Sequence, residues 1–280
     1  MSRRAASLSL VLVLMLAVVA HAGPSLSFDR FFLTSVDDLS WPSSHTVVDA
    51  KGGVHATFYD EQWVYYAHCA ANCGNPANWA RTAIDAAGTY DSLNHPALGV
   101  DAGGHPRLLR YKDTAYVYAE CEAGCTQASN WTSVTVPMED QAYVMSPDNA
   151  RYFALDTQGR PRFVAEFYDG GFVYATCDAN CTTAANWHVA LIDFGQRVYF
   201  DGPQLALNSS DQPRVVAIDG AEQLVYAQCD ANCALAANWT RVTLYGGIGR
   251  PMYDDPTYSL RLDAAGRPRI AFYPANASDT

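Results

Sequence analysis

The chain has 280 residues, with 18 lysines and arginines against 29 acidic residues, and its formal net charge is −11. Only two of the basic residues are lysines, Lys51 and Lys112. Nucleic acids and anionic membrane surfaces bind clustered positive charge, so the composition argues against both as partners.

The N-terminus has the pattern of a secretory signal peptide. Arg3 and Arg4 precede an uncharged, mainly apolar run from Ala5 to Ala20, and Ala20-His21-Ala22 matches a small-x-small cleavage site. A membrane anchor is the alternative, but the run is shorter than the roughly 20 residues that cross a bilayer. We therefore expect residues 1–22 to be a cleaved signal peptide. The rest of the chain, without membrane insertion, is then secreted, periplasmic or extracellular.

A cysteine motif recurs four times along the chain. Each copy has Cys-x-x-x-Cys followed by Asn-Trp, as in FVYATCDANCTTAANWH from Phe172, and the first cysteines are separated by 52, 56 and 52 residues. The tryptophan stands six positions after the second cysteine in every copy. This regular spacing indicates an internal structural repeat of about 50 residues.

A second motif recurs five times between the cysteine motifs. Asp and Gly at its spacing favour a tight turn, because Asp bonds the backbone of its own turn and Gly accepts a positive φ. The residues after the turn are β-branched, aromatic or aliphatic, which is typical of a strand. The copies, of which LDTQGRPRFVAEFYD is one, begin at Val48, Val100, Leu155, Leu207 and Leu262.

Each repeat is predicted to contain four strands. The first ends at the Asp turn, the second follows that turn, the third ends at the first cysteine, and the fourth begins at the tryptophan. Repeated units of four short strands, without long helical periodicity, are typical of a β-propeller. The fold class is therefore predicted to be all-β, as a single five-bladed β-propeller of four-stranded blades over residues 23–280.

The last blade is predicted to be closed by both ends of the chain, which removes free sheet edges. The segment from Ser259 supplies its first two strands, and the segment FDRFFLTSVDD from Phe28 supplies another. No third strand is evident before Thr280. Three arrangements therefore stay open: a three-stranded blade, an N-terminal strand in the third place, or a chain cut short of a larger ring.

The pattern LDxxGxPR…YYD…VYA…W resembles secreted bacterial β-propeller repeat proteins and is more distantly similar to the Asp-box propellers of sialidases. In an Asp box, a Ser-x-Asp-x-Gly-x-Thr-Trp hairpin joins the third and fourth strands. Here CDANCTTAANW takes that place and keeps the closing tryptophan. The resemblance covers nearly the whole chain after residue 22 and implies the propeller fold. Because the literal Asp box and the catalytic arginines are not found by motif, it does not imply sialidase activity.

Eight cysteines in an exported chain predict disulfides, one within each cysteine motif. A tight turn brings residues four apart within the Cα separation of about 4.4–6.8 Å that a disulfide requires. A zinc site and a redox pair are the alternatives, but zinc needs four ligands at one point and four equal copies do not form one redox centre. The predicted pairs are Cys69–Cys73, Cys121–Cys125, Cys177–Cys181 and Cys229–Cys233.

The loops between blades are predicted to carry the function. They lie at the end of the ring opposite the Asp turns and cysteine hairpins, where variable loops on a rigid scaffold bind partners. Each carries a tyrosine near acidic or small polar residues, which suits sugars or, through carboxylate oxygens, calcium; simple packing is the alternative. The candidate ligand-binding residues are Tyr90, Asp91, Tyr143, Tyr199, Asp201, Tyr253, Asp254 and Asp255.

These features predict a non-catalytic, lectin-like binding module for a glycan or an extracellular protein. No cofactor or metal site is predicted from the motifs, apart from the calcium option in the loops. The alternatives are a glycoside hydrolase or sialidase-like enzyme and a purely structural surface protein. Hydrolysis requires two carboxylates roughly 5–10 Å apart. Glu166, which interrupts the apolar run RFVAEFYD, is the one acid that stands out as a catalytic candidate.

Overall fold

The computed structural model describes residues 44–59, 62–86, 96–138, 150–166, 172–192, 202–219, 221–248 and 258–273. Within these segments the chain forms β-strands and short 3-10 turns, and no α-helix is present. No helix in the same segments is long and apolar enough to cross a membrane. The prediction of an all-β chain is confirmed for this part, whereas the predicted signal peptide and N-terminal strand lie outside it.

The strands form five antiparallel sheets that follow one another along the chain. Sheet 1 contains β1 to β4, which span Ser44–Val48, Val54–Tyr59, Trp63–Cys69 and Ala80–Ala86. Sheet 2 contains β5 to β8, which span Ala97–Val100, Pro106–Lys112, Ala115–Glu120 and Thr132–Thr135. Sheet 3 contains β9 to β12, which span Phe153–Leu155, Pro161–Glu166, Phe172–Cys177 and Trp187–Ile192.

Sheet 4 contains β13 to β16, which span Gln204–Leu207, Pro213–Ile218, Leu224–Cys229 and Trp239–Tyr245. Sheet 5 has two described strands, β17 and β18, which span Tyr258–Leu262 and Pro268–Phe272. Sequential strands are neighbours in every sheet. The predicted four-strand repeat is therefore confirmed in four sheets, and the predicted completion of the last one falls outside the described residues.

The Cys-x-x-x-Cys segment forms a closed hairpin loop in each four-stranded sheet. The predicted disulfides are confirmed, and every pair has a Cα–Cα distance of 5.7 Å. The residue before the second cysteine adopts a positive φ, which Gly and Asn tolerate best. Those residues are Asn72, Gly124, Asn180 and Asn232.

In sheets 2 to 4, the tryptophan after the hairpin has two structural roles. In sheet 3, the indole nitrogen of Trp187 donates to the carbonyl oxygen of Cys181 at 2.8 Å, which explains the fixed six-residue spacing. Its ring packs against Tyr118 of sheet 2, with centroids 5.3 Å apart. The equivalent rings of Trp131 and Trp239 pack against tyrosines of the preceding sheets at 5.2 Å. These three tryptophans therefore pack between neighbouring sheets.

The first strands of the five sheets lie in a row, because β1 contacts β5, β5 contacts β9, β9 contacts β13, and β13 contacts β17. The largest apolar core lies among sheets 2, 3 and 4 and contains residues such as Tyr116, Phe163 and Val215. Four disulfides fit a protein of an oxidising compartment, either extracellular or periplasmic. The sheets thus form a repeated scaffold with the tryptophans between them.

The partly buried His45 on β1 gives the fold a dependence on pH. Its Nδ1 accepts the backbone N–H of Leu98 at 2.9 Å, and burial, with the charge of Arg151, lowers its pKa from 6.5. The unfolded chain therefore binds a proton at His45 more readily than the folded chain, and stability decreases as pH falls below 6.5. We expect His45→Gln, which keeps an acceptor, to weaken this decrease in urea titrations at pH 7.5 and 5.5. An unchanged pH dependence would contradict the assignment.

Candidate functional site

An arginine on the second strand joins the Asp turn to the cysteine hairpin in sheet 3. Arg162 donates to the carbonyl oxygen of Cys177 at 2.7 Å and to Asp178 at 2.6 Å. It also donates to Asp156 of the Asp turn at 2.9 Å. Arg107 and Arg214 make the corresponding hairpin contacts in sheets 2 and 4. The Asp turns and cysteine hairpins therefore share one end of these sheets, as predicted.

Sheet 1 departs from this arrangement at the same end. His55 stands where every other sheet has arginine, and Gly53 stands where the others have His, Arg or Gln. Ala70 follows the first cysteine, where sheets 2 to 4 have Glu or Asp. His68 pairs directly with His55 across β2 and β3, so both side chains project from the same face. Sheet 1 has thus lost the arginine bridge and gained two imidazoles.

The two ring nitrogens of His55 contact different partners. Its Nε2 lies 3.2 Å from Oδ2 of Asp49, and its Nδ1 lies 2.6 Å from the hydroxyl oxygen of Tyr66. The ring of His68 is also close, with a centroid 4.5 Å from that of His55. His55 is almost fully buried, at 2% exposure. The imidazole is therefore held in one orientation by a carboxylate and a phenol.

Asp49 uses its two carboxylate oxygens differently. Oδ1 accepts the backbone N–H groups of Lys51 and Gly53, both at 2.8 Å. This is the turn chemistry predicted for the Asp motif, and it directs Oδ2 towards His55. The hydrogen bond from His55 is the main cause that lowers the pKa of Asp49, although desolvation opposes it. Asp49 is therefore ionised at neutral pH.

These side chains line a cleft of about 490 Å³ between sheets 1 and 2. Asp49, His55 and His68 lie on the sheet 1 side, and His105 and Glu122 lie on the sheet 2 side. Nδ1 of His105 is 3.0 Å from Asp101 and 3.5 Å from Glu122. The cleft therefore offers imidazoles and carboxylates from two neighbouring sheets.

Burial and nearby charges adjust the acid–base state of the cleft. Burial is the main cause that lowers the pKa of His68; His55 lowers it further, and Asp49 partly opposes the shift. Burial, reinforced by the negative charge of Asp49, raises the pKa of Tyr66. At neutral pH, His68 is therefore an uncharged imidazole and Tyr66 an uncharged phenol, and both can act as hydrogen-bonding groups or ligands.

The ligand and metal chemistry predicted for the interblade loops remains a prediction. Glu166 is the last residue of β10, pairs with Phe172 and is buried, at 4% exposure. It lies at the end of β10 away from the Asp turn, whereas the cleft lies at the Asp-turn end. The eight predicted loop residues fall outside the described part of the chain, and they are Tyr90, Asp91, Tyr143, Tyr199, Asp201, Tyr253, Asp254 and Asp255.

Sequence reasoning missed the cleft because it assigned the repetitive end to structure alone. The signal was present in the motif VDAKGGVHATFYD, where His55 replaces an arginine found in the other four copies. The pair Gly53 and Ala70 gave a second signal, because both positions carry larger polar side chains elsewhere in the repeat. In a repeat protein, a unit that departs from the others at structural positions is a candidate for function.

Comparisons with known proteins identify no family. No protein-family model matches the chain, and no curated protein matches it. A structure of a protein of unknown function from Dyadobacter fermentans is 9% identical, with a TM-score of 0.51 over 72% of this chain and 68% of that one. A Lactobacillus plantarum protein is 11% identical, with a TM-score of 0.48 over 83% and 72% of the two chains.

A third solved structure, an engineered GH43 glycoside hydrolase, is 10% identical, with a TM-score of 0.32 over 84% of this chain and 42% of that one. At these identities the likeness concerns the fold alone and transfers no activity. The similarity to Asp-box sialidases is not shown. Within the described residues, the chain is an all-β protein of repeated antiparallel sheets, four of them four-stranded.

Proposed function

We propose that this chain is a secreted, non-catalytic binding module on a five-bladed β-propeller, and that it binds its ligand in the cleft between sheets 1 and 2. The observation that carries the proposal is the departure of sheet 1 from the repeat. His55, Gly53 and Ala70 replace side chains that build the Asp-turn end of the other sheets. These changes give up a structural ion pair and open polar space at the Asp-turn end of sheet 1, as a binding site requires.

Contacts across the row of first strands support the five-bladed ring. Arg151, just before β9 in the middle sheet, donates to Ser259 of β17 at 2.6 Å. The charge of Arg151 also acts on His45 of β1. Arg151 thus lies near the first strands of both sheets 1 and 5. Such a bend in the row supports an arrangement of the sheets around a common axis, as in a propeller.

The chemistry of the cleft suits a hydroxyl-rich ligand such as a glycan. Its carboxylates, among them Glu122, accept hydroxyl protons, and its imidazole nitrogens can accept or donate. The predicted signal peptide and the four disulfides support an extracellular or periplasmic compartment, where a glycan ligand is available. The tyrosine and acidic residues predicted for the interblade loops, which lie outside the described residues, are the second candidate for the same ligand class.

A glycan array followed by calorimetry on the best hit tests the proposal and distinguishes the two ends. We expect His105→Ala, in the cleft, to weaken glycan binding at least about tenfold, because it removes a polar contact with the ligand. Tyr253→Ala, in an interblade loop, serves as the matched variant and is expected to leave binding unchanged. Loss of binding in Tyr253→Ala alone would move the site to the loops and overturn the cleft. Turnover of a glycan, or the absence of any hit, would overturn the non-catalytic glycan-binding function.

A further inference from the structure

We propose that Asp49, His55 and His68 bind a divalent transition-metal ion of the zinc type on the sheet 1 wall of the cleft. The inference deepens the proposed function, because the ion lies in the same cleft and a ligand can complete its coordination. It is tested with the metal alone, so the result does not depend on which glycan binds.

The distances among the three side chains suit a metal ion. One candidate ligand atom from each residue lies within 4.8 Å of the other two. In a tetrahedral zinc site with bonds near 2.0–2.1 Å, neighbouring ligand atoms are about 3.4 Å apart. The observed 3.2 Å between Nε2 of His55 and Oδ2 of Asp49 matches that separation. Small side-chain rotations therefore suffice to bring all three atoms onto one ion.

The contacts around the three ligands orient them for the ion. Tyr66 engages Nδ1 of His55 at 2.6 Å, which leaves Nε2 to face Asp49. When a metal binds Nε2, Nδ1 carries the proton and donates to the oxygen of Tyr66. The two backbone N–H groups on Oδ1 of Asp49 leave Oδ2 for the ion. Such outer contacts are typical of metal-binding histidines and carboxylates, and they fix tautomer and orientation.

Gly53 leaves the space that the ion needs. A Cβ atom at this position would lie 2.7 Å from Oδ2 of Asp49 and 3.2 Å from Nε2 of His68. The two ligand atoms thus converge on a point that any side chain would fill. In the other four sheets a larger residue stands there. The absence of a side chain is therefore specific to the sheet that carries the two histidines.

Charge gives a reason for the exchange of arginine for histidine. In sheet 3, the guanidinium of Arg162 lies against the Asp156 carboxylate of the Asp turn, and in sheet 5 Arg269 does the same with Asp263. Sheet 1 keeps the carboxylate, as Asp49, and replaces the guanidinium with a histidine. A bound dication restores a positive charge at this point, and it uses the imidazoles as its ligands.

The donor set selects the class of metal. Two imidazole nitrogens and one carboxylate oxygen suit zinc, copper, nickel or cobalt, whereas calcium and magnesium prefer shells of oxygen ligands. Three protein ligands leave a coordination position open, as in sites that bind an exchangeable ligand. That position faces a cleft whose other wall carries His105 and Glu122. The open position is where a hydroxyl or carboxylate oxygen of the ligand can bind.

Calorimetric titration of zinc chloride into the full, untagged, metal-stripped chain tests the inference. Because all eight cysteines form disulfides, thiolates do not contribute. We expect one zinc per chain, a melting temperature that rises with zinc concentration, and no comparable response to calcium. His68→Ala and Asp49→Asn are expected to weaken binding at least about 100-fold, since loss of an outer contact alone costs about 10–100-fold.

His55→Arg tests the metal site even if the other variants fold poorly. It restores the residue of the other sheets, so the variant is expected to fold and to lose zinc binding completely. Gly53→Ala, which fills the site without removing a ligand, is expected to weaken binding as well. His188→Ala, an exposed histidine on β12, is the matched control and should bind zinc normally.

Three results would overturn the metal site: no zinc uptake by the unmodified chain, zinc binding that persists in folded His55→Arg, or calcium binding as tight as that of zinc. If zinc does not bind but the glycan does, the inference fails and the proposed function stands. If zinc binds and no glycan does, the metal site stands without the proposed ligand.

Discussion

Replacement of Arg162 by alanine is expected to lower the free energy of unfolding by about 2–4 kcal/mol, because it removes several hydrogen bonds to a charged group, each worth about 1.5–3 kcal/mol. Arg162 and its partner Asp156 have side-chain exposures of 8% and 0%, so the substitution leaves the buried carboxylate with only one guanidinium partner, that of Arg160. It also removes the donor to the carbonyl oxygen of Cys177. The loss is a large share of the roughly 5–15 kcal/mol that stabilises a typical domain. Urea denaturation followed by circular dichroism measures it.

The repeat supplies a matched control for Arg162. Arg269 occupies the same position in sheet 5 and contacts Asp263 at 2.8 Å, but its side chain is 63% exposed. Solvent weakens such a pair to about 1 kcal/mol or less. We therefore expect Arg269→Ala to have little effect. Equal losses in the two variants would show that burial does not set the contribution of this arginine.

Replacement of Trp187 by alanine is expected to lower the free energy of unfolding by about 3–5 kcal/mol. Trp187 is 5% exposed in the largest apolar core. Its ring contacts Tyr118 of sheet 2 and Phe163 of its own sheet at centroid distances of 5.3 and 5.7 Å. Alanine leaves a cavity between two sheets and removes the donor to the Cys181 carbonyl oxygen. Chemical denaturation curves measure the change.

Trp79 is the corresponding control in sheet 1. It makes the same hydrogen bond, from the indole nitrogen to the carbonyl oxygen of Cys73 at 2.9 Å, but it is only partly buried. We expect Trp79→Ala to cost clearly less than Trp187→Ala, because less apolar surface returns to water. Trp187→Phe, which keeps an aromatic ring, should fall between the two. A loss in Trp79→Ala as large as that in Trp187→Ala would contradict the inter-sheet packing role.

Much of the architecture could be predicted because its causes are local. The Asp turns and cysteine hairpins each depend on residues within about ten positions, and the spacing of the motifs defines the strands between them. Asp49 accepts hydrogen bonds from the backbone of Lys51 and Gly53, and Trp187 donates one to the carbonyl oxygen of Cys181. Both patterns repeat in related form in other sheets. Residue types at fixed short spacings therefore sufficed to predict four strands per repeat and four disulfides.

The candidate site could not be predicted in the same way, because it depends on register and on empty space. His55 and His68 come together only because β2 and β3 pair in a register that sets them opposite each other. His105 reaches the same cleft from the next sheet, which is a property of sheet packing. The sequence by itself determined the repeat, the strand order and the disulfides. Only the tertiary structure decided that the repeat of sheet 1 forms a polar cleft. The reason is that a cleft depends on small residues that leave space, such as Gly53 and Ala70, as much as on the polar side chains that line it.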